Sequence, residues 1–148
     1  MTTTDRDAWQ RLSEALALTL TWLPEGGFLV IGATGNRFIR FQMRPRWLWC
    51  EITHNDQLGD DRYRMSADAE QMLDDQGWYL PPESVSVNWF KHVNWPAHYR
   101  EYRTIAHECV RALHEFLGVG TPSELTVKAW TSSSEEEFNT DLVTGAVR

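Results

Sequence analysis

RFIRFQMRPRWLWCEIT, residues 37–53, alternates apolar and polar positions twice with a proline turn between the two runs. In the first run Ile39, Phe41 and Met43 fall on one side of an extended chain, and Arg40 and Gln42 on the other. After Arg44-Pro45-Arg46, the run from Trp47 to Thr53 places Leu48, Cys50 and Ile52 on one side and Trp47, Trp49 and Glu51 on the other. Immediately upstream, Phe28 to Ala33 is continuously apolar and ends at the turn signal Thr34-Gly35-Asn36. Three short runs joined by short connections predict a three-stranded antiparallel meander.

Helical patterns flank this meander. Trp9, Leu12, Leu16, Leu20 and Leu23 recur at steps of three and four, which predicts a helix over 5–23 that Pro24 and Gly26-Gly27 end. Residues 54–64 are polar and read as a loop. Ser66 caps a short helix to Gln76, with Ala69, Met72 and Leu73 inward. Gly77 then sits where a left-handed backbone is required, and Trp78 falls five residues after Leu73, the spacing of the apolar contact that accompanies such an ending. Pro81 and Pro82 stop the helix from resuming. Val85, Val87, Trp89 and Val93 predict a fourth strand with Trp89 inward and Phe90 outward. Pro96 opens a long last helix with a stripe of Tyr99, Tyr102, Ala106, Cys109, Leu113 and Phe116, stopped by Gly118 and Gly120. The expected fold class is therefore α+β: a twisted antiparallel sheet, the meander plus at least one further strand, packed by an N-terminal, a short middle and a long C-terminal helix. Residues 1–122 read as a single domain. Residues 123–148 read as an extension in which LTVKAW is either one more strand or irregular, followed by a mobile acidic tail.

The chain of 148 residues carries a net charge of −7, which disfavours a general nucleic-acid binder and adhesion to anionic membranes. No run of about 18 apolar residues occurs, and the start lacks the pattern of a signal peptide. Cys50 and Cys109 have no Cys-x-x-Cys spacing and read as reduced packing residues, so the expected location is cytoplasmic.

No catalytic or metal constellation emerges, and no cofactor is expected. His107 and His114 lie about 10 Å apart along a helix, too far for one ion. In HECVR, Arg111 stands where a zincin needs its second histidine. His107 points about 160° away from Cys109 around the helix, so the two form no dyad. The pairs Glu108–Arg111 and Arg111–Glu115 read as neighbours on a solvated helix face.

One feature rises above this background. Arg37, Arg40, Arg44 and Arg46 occur with no acid between them and interleave with Phe38, Phe41, Trp47 and Trp49. Arginine and tryptophan are enriched at the centres of interfaces, so Arg37, Arg40, Arg44, Arg46, Trp47 and Trp49 are the candidate surface for an extended peptide. EEEF (residues 135–138) could compete there by charge complementarity. A rival reading is a small-molecule pocket between sheet and long helix, lined by Trp89, Tyr99 and Tyr102. A third, enzymatic reading requires a deep pocket joining His92 or His98 to Glu101.

The order of these segments also carries a resemblance. RFIRFQM, WLWCEITHN, LDDQGWYLPP, SVNWF and the long helix closing at LGVGTP resemble the type III secretion chaperone-like and YbjN-like superfamily, and within it the peptide-binding TY-Chap branch. The resemblance spans about residues 5–122. It implies helices on a twisted antiparallel sheet, a homodimer, and binding of extended peptides or client proteins, and it brings no catalytic residues.

Overall fold

The computed structural model describes residues 3–80, 82, 86–132 and 138–148. β1 (Gly27–Ala33), β2 (Arg37–Met43) and β3 (Trp47–Ile52) pair antiparallel in chain order, as the period-two pattern predicts. Gly35 and Asn36 turn the chain between β1 and β2 with φ of 78° and 59°, a left-handed backbone that these residue types adopt readily. A β-carbon on Gly35 would also stand 2.6 Å from the Tyr63 ring. β4 (Trp89–Asn94) joins beside β3 and β5 (Thr126–Thr131) beside β1, giving the order β4-β3-β2-β1-β5. The architecture is α+β, as expected.

The fourth strand is shorter than its pattern suggested. It starts at Trp89 rather than near Val85, which lies outside the described residues, and Val87 is exposed. The cause is a competing set of side-chain bonds. Ser86 donates from Oγ to Glu51 Oε1 at 2.6 Å, and Asn88 donates from Nδ2 to the same oxygen at 3.4 Å. Tyr79 meanwhile takes the ladder position beside Phe90, exchanging backbone bonds of 3.1 and 2.9 Å.

One face of the sheet holds the core. Leu29, Ile31, Ile39, Phe41, Leu48, Cys50 and Ile52 are fully buried in one cluster with Leu12, Leu16 and Leu20 of α1 (Thr3–Thr21) and Ile105, Ala106 and Cys109 of α3 (Tyr99–Arg111). α3 begins three residues after Pro96, with His98 as its N-cap residue and the Glu101 carboxylate accepting the His98 N–H at 2.8 Å. It runs into a single π turn, Ala112–Phe116.

The middle helix, α2 (Ala67–Asp75), ends as its sequence predicts. Ser66 Oγ caps the Ala69 N–H, Gly77 has φ 94°, and the N–H groups of Gly77 and Trp78 donate to Asp74 and Leu73 at 3.0 Å each. Trp78 is 1% exposed and its Nε1 donates to Glu108 at 2.8 Å. Lys91 Nζ donates to the same carboxylate oxygen at 2.8 Å and to Gln76 O at 2.6 Å. This corrects the placing of Glu108 on a solvated face: donors from two other segments converge on it, which makes its burial tolerable. Arg111 instead pairs with Glu115, as expected.

The C-terminal stretch takes the strand reading at LTVKAW and departs from expectation only after it. LTVKAW is a strand of the sheet, and α4 (Asp141–Ala146) packs on α1 with Val143 fully buried and Val147 nearly so. Trp22 Nε1 donates to Asn139 O at 3.2 Å. Val143 and Val147, one turn apart, supply an apolar face where a mobile tail was expected, and Phe138 packs at the border of the core. Glu135, Glu136 and Glu137 lie outside the described residues.

Both cysteines are free and buried, and burial pushes each thiol well above its ordinary pKa. We expect neither to react with iodoacetamide in the native protein at pH 8, and both to react once guanidinium unfolds it. Native-state labelling as fast as that of a free thiol would contradict this packing.

Candidate functional site

Backbone register lines up the outer side of the sheet in rows that cross the strands. One row runs Trp130, Phe28, Gln42, Trp49, His92, each residue paired with the next on the neighbouring strand. The next runs Lys128, Val30, Arg40, Glu51, Phe90. The first row is largely aromatic, the second largely charged. They lie about 7 Å apart, two residues along a strand.

Ring contacts set the shape of the aromatic row. Phe28 and Trp130 stack with centroids 5.0 Å apart and planes 6° from parallel. Trp49 packs on Phe90 at 4.0 Å, and Trp47 on His92 at 5.5 Å. Tyr79 closes the β4 end with an edge contact to Phe90 at 5.1 Å. Trp47 at 36% and Trp130 at 46% exposure stay open to solvent, while Phe90, between Trp49 and Tyr79, is buried.

The charges on this face are unequally engaged. Glu51 is 2% exposed and takes the Arg40 guanidinium together with Ser86 and Asn88, so the acid of the second row is neutralised internally. Arg44 lies 3.7 Å over the Trp49 ring and donates to Gln42 Oε1 at 3.3 Å. Burial holds its guanidinium below the ordinary value, with Glu51 opposing and Arg40 adding to the shift. Arg44, Arg46 and Lys128 have no carboxylate partner among the described residues, leaving the face positive in a net-acidic protein.

Five of the six residues read from the sequence as a peptide surface meet here: Arg40, Arg44 and Trp49 on the face, with Trp47 and exposed Arg46 at its border. Arg37 does not join them. It is 3% exposed, donates to Thr34 O at 2.9 Å and Leu117 O at 3.1 Å, and stacks on Tyr63 at 3.6 Å. Trp89 and Tyr102, read as a rival pocket, are core residues, and burial raises the Tyr102 pKa; Tyr99 is 45% exposed. His92 is on the sheet face, while His98 and Glu101 are exposed at the start of α3. Among the described residues no group of three or more His, Cys, Asp or Glu is placed to hold a metal ion.

A family model described as T3SS (YopN, CesT) and YbjN peptide-binding chaperone 3, TY-Chap3, matches residues 2–131. The chain belongs to the TY-Chap3 family. No curated protein and no solved structure matches it. The TY-Chap3 match runs through the last residue of β5, so it takes in all five strands of the sheet and stops before α4. No described helix of this TY-Chap3 chain is long and apolar enough to cross a membrane.

Phe28, Trp130 and Lys128 complete the face and were not singled out from the sequence, while Phe90, read as outward, is buried between Trp49 and Tyr79. Phe28 begins an apolar run that hides its outward parity. Trp130 and Lys128 become neighbours of β1 only through a pairing across about 100 residues of chain, which local periodicity does not carry.

Proposed function

We propose that this TY-Chap3 chain is a non-enzymatic chaperone or adaptor that holds an extended, acidic segment of a partner protein against the outer face of its sheet. The observation that carries the reading is an aromatic row flanked by Arg44, Arg46 and Lys128, cations with no carboxylate partner among the described residues. Five strands at about 4.8 Å spacing give a platform roughly 19 Å wide, the length of about six extended residues. Alternate side chains of a guest would lie on indole and phenyl rings, and its carboxylates on Arg44, Arg46 and Lys128. Homodimerisation, implied by the family resemblance, belongs to the same proposal and is read by light scattering at micromolar concentration.

Acidic peptides selected from a library should bind the wild-type protein and lose about tenfold or more in affinity to Trp47→Ala/Trp130→Ala. Both side chains are well exposed, so the double variant should keep its melting temperature within a few degrees. Unchanged affinity in a folded double variant would remove the sheet face as the site. A large thermal shift with a small metabolite and none with any peptide would favour a small-molecule sensor instead.

A further inference from the structure

On the helical side, between α1 and α3, lies a cleft of about 760 Å³ lined by no residue of the sheet. Trp9, Ser13, Glu108 and Val110 are its buried lining, and Arg6 and Arg103 stand exposed on its walls. The volume suits a small ligand or a short stretch of chain. The π turn after α3 brings the His114 ring onto the Trp9 indole, with centroids 4.5 Å apart and planes at 26°. Single π turns within helices often mark functional sites.

Two further observations define what fits. Among the described residues three buried side-chain polar atoms lack a hydrogen-bond partner, and two of them, Trp9 Nε1 and Gln76 Oε1, belong to residues lining this cleft. One is a donor and the other an acceptor, the complement of a peptide carbonyl and a peptide N–H. Arg6 and Arg103 have no carboxylate partner among the described residues, whereas Glu108 is engaged by Lys91 and Glu115 by Arg111. The lining carboxylates Glu14, Glu108 and Glu115 disfavour a polyphosphate or a nucleic acid, which would bring several negative charges. A single carboxylate against two guanidinium groups is tolerated.

We infer that this cleft is a second binding site, for a short carboxylate-bearing peptide segment. Arg6 and Arg103 take the carboxylate, Trp9 and Gln76 take one peptide group, and the stacked indole supports an apolar side chain. The site is separate from the sheet face and does not depend on the reading given for it.

The test uses the full chain, with the indole N–H resonance of Trp9 assigned by its loss in Trp9→Phe. A mixed-sequence pentapeptide library, acetylated and amidated at its ends and carrying one Asp or Glu per peptide, is titrated beside the same library with Asn or Gln in that place. We expect the acidic pool to move the Trp9 signal and the neutral pool to need about tenfold more peptide. Arg6→Gln/Arg103→Gln, both at exposed positions, should abolish that difference, and Trp47→Ala/Trp130→Ala should leave it intact. No movement of Trp9 with either pool, equal movement with both, or movement confined to the indoles of Trp47, Trp49 and Trp130 would overturn the inference.

Discussion

Trp78→Ala is expected to lower stability by about 3–5 kcal/mol, the usual range for emptying a buried tryptophan site. Trp78 is the largest fully buried side chain, and its loss does more than open a cavity. It removes a donor from Glu108, leaving Lys91 as that carboxylate's remaining partner, and it strips the apolar contact from the end of α2. For a domain of this size the melting temperature should fall by roughly 10 °C or more, as read by calorimetry or circular dichroism. A loss under about 1 kcal/mol would mean that Trp78 is not packed as described. Trp78→Phe keeps most of the apolar volume and loses the N–H with part of the ring, so it should give back over half of the loss.

Arg37→Ala should also act on stability, by about 2–4 kcal/mol in urea denaturation. The guanidinium is the donor to Leu117 O at the end of the π turn and to Thr34 O in the β1–β2 turn, and it covers the Tyr63 ring. Removing it strands two carbonyls at once. Arg37→Lys keeps the charge but not the planar fork, and should recover less than half of the deficit. Peptide affinity of the folded variant should stay within about twofold of wild type. The opposite pattern, normal stability with lost peptide binding, would return Arg37 to the binding face.

That contrast also marks what the amino-acid order could and could not disclose. Parity alone puts Arg37 with Ile39, Phe41 and Met43 on the inward side, so its burial was legible once alternation was applied to the arginine as strictly as to its apolar neighbours. The ending of α2 was legible in full, because Leu73, Gly77 and Trp78 act within six residues of one another. The meander was legible for the same reason: its pairings are local. Glu108 was not, since its partners arrive from 17 and 30 residues away in the chain, and a helical wheel places a carboxylate outward by default. α4 was missed because Val143 and Val147 are too few to signal amphipathicity without the surface of α1 to receive them.

The two borders of the sheet are unequally protected. Beside Phe90 the β4 border is already taken by Tyr79, while β5 stands at the other border of the described sheet with Lys128 as its one charge. The homodimer proposed above, if joined at β5 about a twofold axis, would close after a single step, because each copy would then turn its β4 border outward. Such a joint would give pairs and no filament.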